Sequence, residues 1–201
     1  MEMKNTISIE LRKAITIIAY IVAPALFFLI CQYLWNRFFD FLWHSTLSYE
    51  EINAISSCVF LPFVVFVYGR ESSSATIRTH MKSARAFSAA VAGVALLFLY
   101  IKAAQNREIE SFLYLLGVGI AGPIIEEIIY RGFVFERSQL YFQDWQSILL
   151  NALLFAVGHR SAASIVVAFI AGVIFTIALK RTKKLLIPIC LHIVWNLANL
   201  F

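Results

Sequence analysis

From Ala14 to Trp35 the chain runs for 22 residues without one charged side chain. At 1.5 Å per residue a helix of that length extends about 33 Å, enough to cross a hydrocarbon core of about 30 Å. Comparable apolar runs recur near residues 52–69, 86–102, 111–131, 147–160, 163–179 and 185–201. No water-soluble interior could hide them. The 201 residues are 61% hydrophobic and 14% charged, against about 45–50% and about 25% in an ordinary soluble domain. A soluble monomer of this size buries only about 70% of its unfolded surface. The pattern excludes a soluble globular enzyme, a disordered chain and a nucleic-acid binder, despite a pI near 9.2. It predicts an all-α, polytopic transmembrane helix bundle of about seven spans forming one domain, with membrane lipid as its first partner.

The basic residues are then topology signals. With seven spans and a cytoplasmic N-terminus, thirteen of the seventeen Lys and Arg fall on the cytoplasmic side. The opposite orientation inverts that ratio. The first run is too long for a signal-peptide core and is expected to be a retained span. Residues 1–106 are expected to hold the N-terminal membrane spans plus an interfacial segment, Phe38–Leu47, which with Trp35 and its own Trp43 has the aromatic content of an interfacial belt. Residues 107–201 hold the polar motifs. Residues 147–179 must cross twice in 33 residues, about 25 Å per crossing, so the fifth and sixth spans are expected to be short or bent. Cys31, Cys58 and Cys190 stand singly in apolar runs, without the spacing of a disulfide framework or zinc knuckle.

Ionisable groups inside spans cost about 2.5–3.5 kcal/mol each and are functional candidates by default. The fourth span carries Gly122-Pro123-Ile124-Ile125-Glu126-Glu127-Ile128-Ile129-Tyr130-Arg131. The Gly122-Pro123 pair is expected to break the helix and restart it, because proline suits a first helical position. Glu127 and Arg131, four apart, share a face and form an ion pair in the favourable order. Glu126 points about 100° away and lacks that partner. It is the candidate general base for taking a proton from water. The fifth span carries Phe155 and His159, and the seventh carries His192 and Asn196; each pair is spaced i, i+4 on one helical face. Phe155 reads as packing. Glu10, Asp40, His44, Glu50, Glu51 and His80 read as solvated surface. One carboxylate, two imidazoles and an amide can activate a water, bind a peptide carbonyl and stabilise its oxyanion. Glu126, His159 and His192 also match a common catalytic Zn2+ set, although no His-Glu-x-x-His run supports it.

The ordered trio Glu126-Glu127-x-x-x-Arg131, Phe155-x-x-x-His159 and His192-x-x-x-Asn196 resembles the CPBP family of intramembrane endopeptidases. That family, also called the Abi family, includes the Ras-converting CAAX prenyl proteases and bacterial relatives tied to bacteriocin processing and self-immunity. The resemblance covers about residues 107–201, which would form the catalytic membrane core. It implies Glu126 as the water-activating carboxylate, with His159, His192 and Asn196 positioning water or the oxyanion. Glu127, Arg131 and Phe155 would support them. No cofactor is favoured; Zn2+ on Glu126, His159 and His192 is the alternative. The implied substrate is a peptide or a prenylated or otherwise lipidated protein tail, processed in a bacterial plasma membrane, with a bacteriocin-like peptide precursor preferred. A non-catalytic immunity or scaffold protein that binds a toxin or partner is the competing reading. A proton or ion transporter is a third, weakened by the lack of an inverted repeat. Counted from the expected cytoplasmic span ends, Glu126 lies about 8 Å deep, His192 about 10 Å and His159 about 18 Å, so His159 stands apart from the other two.

Overall fold

The computed structural model describes residues 2–43, 47–71, 84–85, 87–89, 91–93, 95–96, 113–159 and 161–199, with the backbone alone for 2–10 and 71. The expected third span and the basic connection at 70–85 fall mostly outside these residues, as do His44 and His80. Every described element is helical. Helix α1 spans Glu2–Trp43 and α2 spans Tyr49–Glu71. Helix α3 is a rod of four consecutive segments: Leu115–Ala121, Gly122–Glu127, Ile128–Phe135 and Glu136–Ser138. Then come α4 (Asp144–Ala156), α5 (Ala162–Thr182) and α6 (Leu186–Ala198). Leu11–Trp43, Tyr49–Arg70 and Ala162–Thr182 are long and apolar enough to cross a membrane. The protein is an all-α membrane helix bundle.

Burial ranks the helices. The most apolar stretch of α1 is 22% buried and that of α5 is 28%, whereas α2 reaches 61%. Leu26, Phe27, Ile30 and Leu34 of α1 and Val166, Ile170 and Ile174 of α5 are exposed. Side chains of this kind cost about 25 cal/mol per Å² facing water and nothing comparable facing acyl chains. Helix α2 is central, and α3 lies against it through small residues. A Cβ on Gly117 would fall 2.3 Å from the Ala54 Cα, and one on Gly132 would fall 2.6 Å from the Tyr68 ring. This is the close backbone approach that small residues permit between membrane helices. Phe28 of α1 completes the junction, its ring 5.5 Å from Phe133 and 6.4 Å from Phe60.

Four local expectations are corrected. The segment from Phe38 onward is not separate: α1 continues to Trp43, because no turn residue interrupts it and Arg37 pairs with Asp40 at 3.0 Å on one face. Glu51 is buried rather than solvated. Its Oε2 accepts from the Ser48 N–H at 2.8 Å while the Ser48 Oγ accepts from the Glu51 N–H, a capping box that starts α2. Gly122-Pro123 does not break α3, since Ala121 and Gly122 are both helical. The turn before it widens to π geometry, with the Gly122 N–H donating to the Gly117 carbonyl five residues back. Widening relieves the clash of a proline ring with the preceding turn. Finally, of the expected fifth and sixth spans only the fifth, α4, is short: its 13 residues extend about 20 Å, while the 21 of α5 extend about 32 Å.

Helices α4 and α5 form a tight hairpin. Gly172 meets Ala152, the Asn151 Nδ2 donates to the Thr176 Oγ1 at 2.8 Å, and Lys180 pairs with Asp144. Hydrogen bonds from Lys180 and then Gln139 hold the Asp144 carboxyl below the usual aspartate range. Overpacking a close backbone contact costs about 1–3 kcal/mol. Gly117→Ala should therefore lower the detergent-solubilised melting temperature by several degrees, while Gly93→Ala, whose Cβ would meet nothing within 4 Å among the described residues, leaves it unchanged. Equal melting temperatures would show that α2 and α3 are not seated this closely.

Candidate active site

The two adjacent glutamates occupy different environments because one helical step turns the second away from the first. Glu127 is fully buried. Its Oε1 accepts from the Arg131 Nη1 at 2.9 Å and lies 2.9 Å from the His192 Nδ1. Arg131 is equally buried and donates through Nη2 to the Gly172 carbonyl of α5 at 3.3 Å. Its guanidinium carbon stands 4.5 Å from the Phe155 ring centre and 5.5 Å from that of Phe175. The charge is thus met by a carboxylate, a carbonyl dipole and two π faces. Glu126 lacks such a cage. Its side chain is 44% accessible, and its Oε2 lies 3.7 Å from the His192 Nε2. His192 therefore spans the pair, with one ring nitrogen on the locked carboxylate and the other toward the open one.

Glu126 opens into a cavity of about 650 Å³, within the usual range of ligand sites. His159, Asn196 and Phe155 share that cavity, as do Gly122 and Pro123. A second cavity of about 230 Å³ lies beyond His159, Phe155 and Asn196 and reaches His192 and Phe175. His159 is not on α4, contrary to the expectation that it shares a helical face with Phe155. The helix ends at Ala156, and His159 follows in a turn closed by its N–H on the Ala156 carbonyl at 3.0 Å. The two rings are still 5.3 Å apart, edge to face. The His159 Nδ1 is buried with no partner among the described residues. Phe155 is the packing centre of the site, also edge-on to Tyr130 and His192.

Helix α3 does not end at Arg131 but runs to Ser138, so Glu126 lies twelve residues, about 18 Å, from that end rather than about 8 Å.

Asn196 has a specific anchor. In the π register established by Gly122, the carbonyl of Val118 would be served by the N–H of residue 123, and that residue is proline. The Asn196 Nδ2 donates to the Val118 carbonyl instead, at 2.9 Å, so a side chain of α6 repairs the orphan that proline leaves in α3. One amide hydrogen of Asn196 remains for another acceptor.

Among the described residues, no three His, Cys, Asp or Glu side chains gather in a metal-holding group. Glu126 and His192 face each other, but His159 does not close a cluster with them. The residues that sequence reasoning passed over are Phe175 and Gly172, which cage Arg131, and Gln32, Asn53 and Ser57, which line the larger cavity from α1 and α2. Nothing separates Phe175 or Gly172 from ordinary span residues. Gln32, Asn53 and Ser57, polar groups in apolar runs, carried the same signal as the glutamates at lower cost.

Residues 108–198 match the family model described as type II CAAX prenyl endopeptidase, Rce1-like. Over 96 residues the chain is 31% identical to the membrane-embedded CAAX protease MroQ of Staphylococcus aureus, covering 45% of this chain and 38% of that protein. It is 30% identical over 81 residues to the putative membrane peptidase YdiL of Bacillus subtilis, covering 38% of this chain and 32% of that one. An uncharacterised 24.3 kDa protein of Escherichia coli is 31% identical over 88 residues, 41% of each chain. The matched segments span roughly two fifths or less of these relatives. No solved structure matches. Residues 108–198, which carry the two glutamates, the arginine, both histidines and the asparagine, are thus similar to the Rce1-like CAAX prenyl endopeptidases.

Proposed function

We propose that this protein hydrolyses a peptide bond at the membrane with a water activated by Glu126 and without a metal ion. The observation that carries the reading is the division of the carboxylates: Glu127 is consumed by Arg131 and His192, while Glu126 faces the cavity. Against an ionised Glu127, His192 carries its proton on Nδ1, so Nε2 is an acceptor facing Glu126. A water held against both loses a proton to Glu126 as its oxygen bonds the scissile carbonyl carbon. The oxyanion that forms is met by donors from His159 and the remaining Asn196 N–H. As the C–N bond breaks, Glu126 returns the proton to the leaving nitrogen, and the site is restored. The substrate is a membrane-associated peptide or lipidated tail entering unwound, because a helix shields its own carbonyls. Bacterial relatives favour a peptide precursor, such as a bacteriocin, over a eukaryotic prenylated protein. The chain sits in a plasma membrane with its N-terminus and the cavity mouth on the cytoplasmic side.

Glu126→Gln keeps shape and polarity but cannot take the proton. It should reduce cleavage of a farnesylated CAAX-ended peptide, and the processed peptides seen by mass spectrometry of membrane fractions, by about a hundredfold or more. Undiminished cleavage would overturn the proposal in favour of a binding or immunity role. Chelation with 1,10-phenanthroline should leave the rate within about twofold; a loss restored by added Zn2+ would establish the metal-dependent alternative on Glu126, His159 and His192. The two glutamates should also separate by stability. Glu127→Ala strands a buried guanidinium, a loss of about 3–5 kcal/mol, and should sharply reduce folded yield on size exclusion. Glu126→Ala should fold normally; the reverse order would refute the assigned roles.

A further inference from the structure

The larger cavity has two chemically different walls. One is the Glu126 face of α3 with His159 and Asn196; the other comes from α1 and α2 and presents Gln32, Asn53 and Ser57. This second wall lies outside residues 108–198. It belongs to a polar network within the apolar bundle. The Asn36 Nδ2 donates to the Asn53 Oδ1 at 3.0 Å, and the single Ser56 hydroxyl hydrogen lies between two acceptors, the Asn36 Oδ1 and the Asn53 backbone carbonyl. The Gln32 Nε2 lies 3.3 Å from the Asn36 Oδ1 and 3.4 Å from the Ser57 Oγ.

The network is asymmetric in its satisfaction. The Gln32 Oε1 is buried without a partner among the described residues. Asn53 is held through its Oδ1 and backbone carbonyl, and among the described residues its Nδ2 has no acceptor. The wall thus offers an acceptor from α1 and a donor from α2, fixed by Asn36 and Ser56 behind them, with the Ser57 hydroxyl beside them. An acceptor and a donor together complement the N–H and C=O of a peptide backbone.

An unwound peptide entering an apolar bundle brings unpaired backbone groups that cost several kcal/mol each if left unmet. We infer that Gln32, Asn53 and Ser57 form a main-chain binding site that holds the substrate extended opposite Glu126. The Gln32 Oε1 accepts a substrate N–H, and the Asn53 Nδ2 donates to a substrate carbonyl. The ligand class is an extended peptide segment recognised by its backbone, so side-chain selectivity arises elsewhere. The inference rests on the proposed peptidase function but is tested without turnover.

The full chain carrying Glu126→Gln, in nanodiscs, is titrated with a fluorescent farnesylated CAAX-ended peptide and its unprenylated counterpart, read by anisotropy. Gln32→Met and Asn53→Leu, added singly, should each raise the Kd by about tenfold, the scale of one buried hydrogen bond. A series of peptides with one backbone amide replaced by an ester, and so lacking that N–H, should contain a member that binds the parent about tenfold more weakly. That member should bind the Gln32→Met protein no more weakly than the all-amide peptide does. This coupling is a signature that a merely structural role of Gln32 does not produce. The Asn53 Oδ1 anchors Asn36, so where Asn53→Leu fails to fold, Ser57→Ala, which spares that anchor, is read instead and should weaken binding severalfold. Unchanged Kd values in the folded variants, no coupling to any ester, or no saturable binding of either peptide would overturn the site. Failure of the catalytic reading appears separately, as undiminished cleavage by Glu126→Gln.

Discussion

A guanidinium with no exposed surface, in a helix surrounded by apolar neighbours, is the constraint around which this bundle is organised. Moving an ion out of water costs several kcal/mol even after relaxation, and a single carboxylate rarely repays it. Arg131 is therefore engaged from several elements. Glu127 meets it within α3, the Gly172 carbonyl reaches it from α5, and Phe155 and Phe175 close over it from α4 and α5. Each partner depends on a further packing condition. The Gly172 carbonyl also accepts from Thr176, which takes a hydrogen bond from Asn151, so the α4–α5 hairpin is registered on the arginine. His192 brings α6 to the same carboxylate. Satisfying one buried charge thus fixes the relative positions of four helices.

The consequence for chemistry lies in what that arrangement leaves over. Glu127 cannot be both the counter-ion of Arg131 and a mobile base. Its neighbour, turned aside by one residue, inherits the cavity and borrows only the far nitrogen of His192. Asn196 is positioned by a separate rule. Proline at 123 removes a donor, the turn before it widens, and the carbonyl so stranded is claimed from α6. Irregularity in α3 and placement of a polar side chain in the site are therefore one event. The backbone of a membrane helix tolerates proline because a neighbouring helix can re-satisfy it.

The fold class and the principal polar cluster were legible in the primary structure for one reason. In lipid, an uncharged run of 22 residues and a buried Glu-Glu-x-x-x-Arg are both costly departures from average chemistry. The i, i+4 rule placed Glu127 on Arg131 directly. What escaped was set by tertiary context. Nothing local says that α1 continues past Trp35, since Phe38 to Trp43 suits a helix and an interface equally. Gly122-Pro123 signals a break unless another helix repairs it, and the asparagine that does so is 78 residues from the carbonyl it meets. His159 was assigned to α4 by counting, whereas the helix stops at Ala156 and hands it to a turn. Glu51 looked solvated because capping boxes and surface carboxylates share a composition.

His159 shows why positions where the chain leaves helical geometry matter. A short α4 ends at Ala156, beside the cavity that Phe155, Gly158 and His159 line, and the following turn can aim an imidazole that a helix would direct sideways. The same economy explains why residues 108–198 do not make the chamber by themselves. The cavity face of α3 needs an opposing wall that excludes lipid yet tolerates water and polar substrate. A purely apolar α1 and α2 would exclude lipid but leave water at Glu126 with partners on one side only. Gln32, Asn53 and Ser57 give that wall polarity without charge, at lower insertion cost than a second ionised group. The N-terminal helices are accordingly part of the site's solvent environment.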